Sequence, residues 1–378
     1  SSGLGVDDPN YTMETDATTI AANVKHTVGE IWDHTIKASL TSEKYKLIEG
    51  DPDPFNWYNS NIETKVKILD WQNNFYLLDE AHTITAGVEY EKAEAENKSA
   101  SIDHSISNKA IYLQDKISLV DSKLNLLVGM RYDDHKKFGS ETTYRVAASY
   151  LIDKTATTLR SSYGKAFKAP TLNDLYYNNP GVGRGNPNLE PEESKGYDLG
   201  IEQELIGKLV IFSASYFRND FTDLIEWVEY APWLYEPQNV AEANTKGWEL
   251  GLEVKAVENL IIGASFTRTD TEDEAKKREL IRRPEKKGSL SLNWNPGRAN
   301  FNLRANYVGK RVNNYGFFSG NPVWLDSYKK ADFAASYDIT DNINLFARVE
   351  NLTNREYEEV KDYGTAGRSY YGGLKATF

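Results

Sequence analysis

The sequence predicts an all-β fold, a transmembrane antiparallel β-barrel whose strands run up and down in chain order. Three observations lead to this prediction. Apolar and polar residues alternate along most of the chain, the connections alternate between short and long, and charged residues recur on one face of successive strands. The alternation has the period of two that places successive side chains on opposite faces of a strand. We therefore expect a sheet with one apolar and one polar face.

About seventeen strands are expected from this alternation. One example lies near residue 250, where Trp248, Leu250, Leu252 and Val254 form one face and Glu249, Glu253 and Lys255 form the other. Helical periodicity is hard to find anywhere in the chain. The expected strands are residues 18–28, 32–47, 60–72, 82–95, 106–120, 123–136, 141–152, 155–167, 194–206, 208–220, 242–256, 259–271, 286–295, 299–311, 329–339, 342–351 and 369–378.

The links between these strands fall into two classes. Short links of hairpin length are residues 29–31, 121–122, 153–154, 207, 257–258, 295–298 and 341, and long links are residues 48–58, 96–105, 168–193, 221–241, 271–285, 311–328 and 353–368. The two classes alternate along the chain, so they segregate to opposite ends of the strands. Outer-membrane barrels have this arrangement, with short periplasmic turns and long external loops.

The two faces of the strands indicate what surrounds them. Charged residues recur on the inner face of strand after strand, which a packed protein core does not tolerate unless they are paired. The interior is therefore expected to be wet, which requires a wide barrel. Aromatic residues near the strand ends on the outward face would form the two interfacial girdles. Examples are Trp32, Tyr150, Trp248, Trp294 and Tyr370.

Composition excludes several classes of protein. The 378 residues include no run of about 18 consecutive apolar residues, so a helical membrane protein is excluded. The formal net charge of −12 disfavours nucleic-acid binding, which needs a basic surface. The absence of Cys removes every thiolate metal site and cysteine nucleophile.

No constellation of residues predicts a metal site or catalysis. The acidic pairs Asp7–Asp8, Asp51 with Asp53, and Asp133–Asp134 match no calcium-loop spacing. The five His residues are dispersed, and no Ser, His and orienting partner are singled out as a catalytic set. We expect no metal, no cofactor and no enzymatic activity.

The start of the chain carries its own expectation. Residues 1–10 have no basic start and no apolar core, so they are not a signal peptide. Counting strands back from Phe378 places residues 1–16 in an external loop and gives an odd strand total, whereas bacterial barrels have an even number. We expect residues 1–378 to be a single transmembrane barrel domain that is incomplete at its amino-terminal side.

The longest link contains the most specific motifs. Its entry reads Ala-Phe-Lys-Ala-Pro-Thr-Leu over residues 166–172, and its exit reads Gly-Asn-Pro-Asn-Leu-Glu-Pro-Glu over residues 185–192. The prolines stop ladder hydrogen bonding and stiffen the base of the loop, while the glycines between the motifs permit turns. On residue types alone, a structural loop with no ligand role is the simpler interpretation.

These motifs, with the Asn-Leu-Thr-Asn-Arg motif at 351–355 and the terminal aromatic residue, resemble the carboxyl-terminal barrel of TonB-dependent outer-membrane receptors. That family includes vitamin B12 and ferric-siderophore importers. The resemblance covers nearly all of the chain from about Tyr112 onward. The residues that carry it are Phe167, Ala169, Pro170, Asn186, Pro187, Leu189, Asn351, Leu352, Asn354 and Phe378.

The resemblance implies a barrel of about 22 strands that is closed by an amino-terminal plug domain. Neither the plug nor its TonB-contacting motif is visible in this sequence, and about five strands would also be absent. Haem receptors of this family carry a His between the two loop motifs. Residues 171–185 contain no His, which disfavours haem uptake.

Aromatic residues in the long links are the candidate ligand-binding residues. Aromatic rims stack on flat ligands or seal a vestibule, although the same residues also pack loops together or rest in lipopolysaccharide. The charged run at 268–287 is expected to be a solvated loop. The candidates are Tyr176, Tyr177, Arg184, Trp227, Trp233, Tyr235, Tyr315, Phe317, Phe318 and Trp324.

The function implied by the resemblance is energy-driven import of a scarce metal chelate, a ferric siderophore or cobalamin, across the outer membrane of a Gram-negative bacterium. The implied partners are outer-membrane lipid and lipopolysaccharide, the chelate, and the TonB–ExbB–ExbD system acting through the missing plug. A passive porin or adhesin without energy coupling is the first alternative. A barrel enzyme and a soluble β-sandwich are further alternatives.

Overall fold

The computed structural model describes residues 11–49, 60–316 and 319–377, and most of them lie in one antiparallel sheet. Of the 21 described strands, four (β9, β10, β17 and β18) have two to five residues, which leaves 17 long strands, as the sequence predicts. In order the strands are β1 (Tyr11–Val28), β2 (Trp32–Glu49), β3 (Ser60–Leu77), β4 (His82–Asn97), β5 (Ile102–Leu119), β6 (Leu124–His135), β7 (Gly139–Ile152), β8 (Thr157–Lys168), β9 (Asn178–Asn179), β10 (Gly183–Arg184), β11 (Glu192–Leu205), β12 (Val210–Ala231), β13 (Leu234–Val257), β14 (Leu260–Asp273), β15 (Lys286–Trp294), β16 (Ala299–Val308), β17 (Arg311–Tyr315), β18 (Pro322–Leu325), β19 (Tyr328–Thr340), β20 (Ile343–Glu350) and β21 (Ser369–Ala376).

Each long strand pairs with its neighbours in the chain. The pairing passes from β8 directly to β11 and from β16 directly to β19, because the four short strands lie inside long connections. Within the described ranges, β1 pairs only with β2 and β21 pairs only with β20, so each keeps one edge without a ladder partner. The topology is an up-and-down meander, which confirms the prediction.

The two faces of the sheet differ as expected. Large apolar residues on one parity are exposed along almost every long strand, for example Leu69, Ile111, Val146 and Leu290. In a membrane barrel this apolar face contacts lipid, while the opposite face carries polar and charged residues toward the lumen. A soluble sandwich would instead hide the apolar face between two sheets.

The dry core of the molecule lies among its long connections. The described residues include few buried apolar side chains, and the largest fully buried ones, Leu175, Val312 and Leu325, belong to the long connections. α1 (Leu172–Tyr176) is the one α-helix in the described part of the chain, and a single turn of 3₁₀-helix spans Lys98–Ala100. No described helix is long and apolar enough to cross a membrane.

Two long connections contain more strand than the sequence predicts. Residues 221–241 are not a loop, because β12 and β13 continue to a two-residue turn at Pro232 and Trp233. β-Branched and aromatic residues favour this extension, since they fit a pleated strand well. In residues 311–328, β17 and β18 form a hairpin of their own. The first strand also begins earlier than expected, so residues 11–16 pair with β2.

A charged network is buried on the lumen face of β4–β6. The Arg131 guanidinium donates to both oxygens of Asp133 at 2.9–3.1 Å and to Glu89 at 2.6 Å. Asn108 donates a further hydrogen bond to Asp133 at 2.7 Å. Asp133 is only 2% exposed, so these donors replace the water that its carboxylate would otherwise bind.

A tyrosine extends this network toward β3. The Tyr112 hydroxyl donates to Asp70 at 2.7 Å, and Lys37 lies 3.8 Å from the other Asp70 oxygen. The ring of Tyr112 crosses β4 at Gly87, where a Cβ atom would lie only 2.3 Å from the ring. Glycine is therefore needed at this position because the aromatic ring occupies the space of a side chain.

Candidate ligand-binding site on the external loops

The longest connection, residues 169–191, folds into a packed cap and not into an open loop. Thr171 begins α1 with a capping box, in which its hydroxyl accepts from the Asp174 N–H and the Asp174 carboxylate accepts from the Thr171 N–H. Leu172 and Leu175 are buried beneath this turn. The helix is short, so its stability comes from this capping and burial and not from its length.

The family-motif residues dock this cap onto the rest of the sheet. Pro170 is fully buried and Leu189 is buried, while the Asn186 side chain donates to the Pro237 carbonyl on β13 at 3.1 Å. Phe167 meets the Phe138 ring edge to face at 5.9 Å. Ala169 is half-buried at the start of the cap, and Pro187 is exposed in its second half. These motifs hold the loop in place, which agrees with the structural interpretation.

Two predicted ligand-binding tyrosines pack against neighbouring loops. Tyr176 stacks on His104 with ring centroids 3.9 Å apart, and Tyr177 meets Trp227 edge to face at 5.4 Å. The Trp227 indole N–H donates to Asp174 at 3.1 Å. Burial raises the pKa of the Tyr177 hydroxyl. Tyr176 therefore joins residues 169–191 to β5, while Tyr177 and Trp227 join them to the hairpin formed by β12 and β13.

Arg184 is held by the same hairpin. Its guanidinium pairs with the Glu236 carboxylate, which raises the pKa of Arg184, and it lies over the Tyr230 ring at 4.7 Å from the centroid. The adjacent Gly183 makes a parallel bridge to Tyr235, whose N–H donates to the Val182 carbonyl at 3.0 Å. The structure thus brings five of the predicted residues, Tyr176, Tyr177, Arg184, Trp227 and Tyr235, into one cluster.

The charged segment 274–285 connects this cluster to the next hairpin. Lys276 forms an ion pair with Glu226 on β12, while Arg278 lies over the Tyr315 ring at 3.9 Å. The Tyr315 hydroxyl donates to the Glu279 carbonyl at 2.9 Å. Lys276 and Glu279 are exposed, as expected for a solvated loop, but the segment also contacts strands that are distant in the chain.

The electrostatics of this segment are locally balanced. The Lys277 ammonium and the Asn244 amide hold the pKa of the Glu274 carboxyl below its usual range. The same contact with Glu274 raises the pKa of Lys277. Neighbouring opposite charges favour the ionised form of both groups.

The last connection, residues 351–368, contacts the β17–β18 hairpin and so joins the other long connections. Arg311 donates to the Glu358 carbonyl at 2.8 Å, and the Tyr328 and Tyr357 rings stack at 4.2 Å. Within residues 351–368, the Asn351 side chain donates to the Arg355 carbonyl at 2.9 Å. The Asn354 side chain accepts from the Arg368 N–H at 2.9 Å, and Leu352 is largely exposed beside it.

These contacts define an external belt, which consists of residues 96–105, 169–191, 221–241, 274–285, 311–316, 319–328 and 351–368 and the contacts that join them. Trp233, at the tip of the β12–β13 hairpin, is 66% exposed. Tyr230 and Trp324 are also exposed. Phe317, Phe318 and Phe378 lie outside the described residues. The predicted aromatic residues accordingly divide into a packed set and an exposed set.

Several belt residues were missed by the sequence analysis. His104, Glu226 and Lys276 make contacts that join loops distant in the chain, so no local pattern indicates them. Only the Thr-x-x-Asp spacing at Thr171 and Asp174 was a usable local signal, since it resembles a capping box. Among residues 11–49, 60–316 and 319–377, no group of three His, Asp or Glu side chains is arranged to hold a metal ion.

Gly185→Ala is expected to release residues 169–191 from the belt. A Cβ atom at this position would lie 2.6 Å from backbone atoms of Leu175 and Tyr176, which cannot move without shifting α1. Such overpacking costs about 1–3 kcal/mol. Limited proteolysis with mass spectrometry should show faster cleavage within this segment. Gly364→Ala, with nothing within 4 Å of the added atom, is the matched control. Equal cleavage in both variants would contradict the docking described here.

Comparison with known proteins identifies relatives along nearly the whole chain. Residues 2–352 match the family described as TonB dependent receptor-like, beta-barrel. The chain is 31% identical over 347 residues to the vitamin B12 transporter BtuB of Vibrio vulnificus strain YJ016, covering 88% of this chain and 53% of that protein. It is 29% identical over 319 residues to the vitamin B12 transporter BtuB of Photobacterium profundum, covering 82% and 50%.

Solved structures share the fold at lower identity. A point mutant of the ferric enterobactin receptor PfeA of Pseudomonas aeruginosa superposes with a TM-score of 0.83 at 20% identity, covering 98% of this chain and 62% of that one. The siderophore receptor PirA of Acinetobacter baumannii gives a TM-score of 0.80 at 19% identity, covering 98% and 63%.

The chain thus spans about half the length of the curated relatives it matches. All of these proteins are named as transporters or receptors, and the prediction that the chain is not an enzyme is confirmed. The family match covers most of the described meander, and the solved receptors share its architecture. This chain belongs to the family of TonB-dependent receptor β-barrels.

Proposed function

We propose that this chain is the barrel of an active importer that carries a metal chelate across the outer membrane of a Gram-negative bacterium. The observation that carries the proposal is the external belt, in which aromatic and charged residues link the long connections of a family barrel to one another. Ligand would bind to the exposed aromatic residues of the belt and then contact the polar lumen wall. Flat or apolar ligand surfaces bind well to such aromatic groups.

The chemistry of the belt favours an uncharged chelate such as cobalamin over a ferric siderophore. Two of its cations are already engaged, since Arg184 pairs with Glu236 and Lys276 pairs with Glu226. A highly anionic ferric catecholate would have to compete with these carboxylates. The curated relatives that are named vitamin B12 transporters support the same choice. A ferric siderophore is the second candidate, since the structural neighbours include siderophore receptors.

Energy coupling and gating complete the proposal. The lumen of a barrel this wide would leak if it were open, so we propose that a plug domain and the TonB–ExbB–ExbD system act on this barrel. We also propose that residues 1–378 are one barrel domain to which further strands are added. The unpartnered edges of β1 and β21 support this, because exposed backbone groups are not tolerated in lipid.

Uptake of labelled cobalamin by a receptor-deleted strain that carries the full-length gene tests the function. We expect uptake that stops when the proton gradient is collapsed or TonB is deleted. Uptake that continues under both conditions would indicate a passive porin. Uptake of ferric siderophores, with none of cobalamin, would select the second candidate.

Tyr230→Ala combined with Trp233→Ala is expected to weaken cobalamin binding about tenfold, because exposed aromatic residues often dominate binding free energy. Equilibrium binding to purified protein in detergent measures this change. Trp294→Ala is the matched control, since Trp294 lies on the outward face beside a short turn at the opposite end of the barrel. Equal affinity in both variants would exclude the hairpin tip from the binding site.

A further inference from the structure

A pair of histidines lies on the outward face of the first hairpin, away from the external belt. His26 on β1 and His34 on β2 are direct partners in the ladder. They share the parity of the exposed residues Val24 and Ile36, so both side chains project to the outside of the barrel. His26 comes two residues before the end of β1, and His34 two residues after the start of β2. Both therefore lie close to the short turn.

The distance between one nitrogen of each imidazole ring fits the coordination of a single metal ion. His26 Nδ1 and His34 Nε2 are 3.3 Å apart, and the ring planes are inclined by 76°. Two imidazole nitrogens at Zn–N distances of 2.0–2.1 Å in a tetrahedral site are separated by about 3.4 Å. A direct hydrogen bond between them would be long, because such bonds usually measure about 2.7–3.2 Å.

The ring of His34 is fixed in position before any ligand binds. Trp32 stacks on it at 5.2 Å, and the Trp32 indole N–H donates to Asn73 on β3 at 3.2 Å. Metal sites gain affinity when neighbouring groups orient the ligating rings in this way. His26, on exposed strand β1, is accessible from outside.

The charges around the pair favour a cation over an anion. No Lys or Arg occurs among the outward residues of β1–β5 at this end of the sheet. These residues are taken from positions 18–28, 32–40, 69–77, 82–88 and 111–119. The same face carries one carboxylate, Asp115, which His82 contacts at 2.8 Å. A lipid phosphate would find no permanent positive charge here, whereas neutral imidazoles are preferred ligands of Zn²⁺, Ni²⁺ and Cu²⁺.

We propose that His26 and His34 form a binding site for a divalent transition-metal ion on the outer wall of the barrel, with water completing the coordination. The ion links β1 to β2 beside their turn. Sequence spacing alone does not indicate the site, because the ladder and not the chain places the two rings together. The proposal is independent of the imported chelate, since the pair lies on the opposite face from the lumen.

Zinc titration of the full chain in detergent micelles tests the proposal, with any affinity tag removed and the protein first treated with chelator. Calorimetry should show one Zn²⁺ per chain, and Zn²⁺ should raise the melting temperature. His26→Asn and His34→Asn are each expected to weaken binding by about tenfold or more and to remove the thermal shift. His82→Asn, another outward histidine near a short turn, should leave both unchanged.

Copper provides a second measurement that does not depend on stability. Pulsed electron paramagnetic resonance of the Cu²⁺-loaded protein should show two imidazole nitrogens in the wild type and one in each single variant. Unchanged Zn²⁺ affinity in His26→Asn and His34→Asn, or a single-nitrogen signal in the wild type, would overturn the proposal. Binding of phosphate-headgroup lipid that is lost in the same variants, without metal binding, would also overturn it in favour of a lipid site.

Discussion

Leu290→Arg is expected to lower the free energy of unfolding in lipid by about 2–4 kcal/mol, the cost of a charge on the lipid face near the bilayer midplane. Leu290 lies at the middle of the nine-residue strand β15 and is 54% exposed on the outward face. Its ladder partners are Ala264 and Ala305, so no neighbouring carboxylate is available to neutralise the new guanidinium.

The adjacent lumen position provides the matched control. Ser289 faces the lumen and exchanges a 2.7 Å hydrogen bond with Ser265. Ser289→Arg places the same charge in water, and we expect a loss within about 1 kcal/mol, the net value of the hydrogen bond that is removed. Reversible unfolding by denaturant in lipid vesicles, followed by tryptophan fluorescence, measures both variants. Equal small losses would mean that the outward face does not contact lipid.

Arg131→Met is expected to destabilise the barrel by about 3–5 kcal/mol, because it leaves two carboxylates without their shared cation. Asp133 is 2% exposed and Glu89 lies 2.6 Å from the same guanidinium. Water has little access to Asp133, so its charge would remain without compensation. The loss therefore exceeds that of an ordinary surface ion pair.

Arg160→Met is the control for this variant. Arg160 lies 3.4 Å from Glu202, and the side chains are 60% and 32% exposed. Such exposed pairs contribute about 0–1 kcal/mol. The triple variant Arg131→Met with Glu89→Gln and Asp133→Asn should recover part of the lost stability, because it removes the uncompensated charges. Equal losses in the Arg131 and Arg160 single variants would show that the network is not a special source of stability.

The strands could be predicted from sequence because their signal is local. In β13, Trp248 and Leu250 alternate with Glu249 and Gly251, and one buried or lipid-facing side fixes the register. The extension of β12 and β13 beyond Phe221 was missed because polar residues such as Gln238 and Asn239 interrupt the alternation there. Those residues pair in water, where neither face needs to be apolar.

Less of the candidate site than of the strands could be predicted from the sequence. Trp227 was selected as an exposed aromatic, but its indole N–H and ring are occupied by Asp174 and Tyr177, which lie about fifty residues away in the chain. Asn186 was recognised by its motif, yet its role in holding β13 follows only from the fold. Contacts between distant loops depend on which strands become neighbours, and periodicity does not encode that information.

β12 and β13 have 22 and 24 residues, so the hairpin that they form lies partly in lipid and partly in water. About 9–11 residues are enough to cross a bilayer, so roughly half of each strand is a ladder surrounded by water. Amide protons within the bilayer are protected wherever lipid excludes water, whereas those of the distal half are protected only by the strength of their own pairing. The distal half can therefore open as a separate cooperative unit, and its hydrogen exchange will report ligand binding without unfolding of the membrane-embedded ladder.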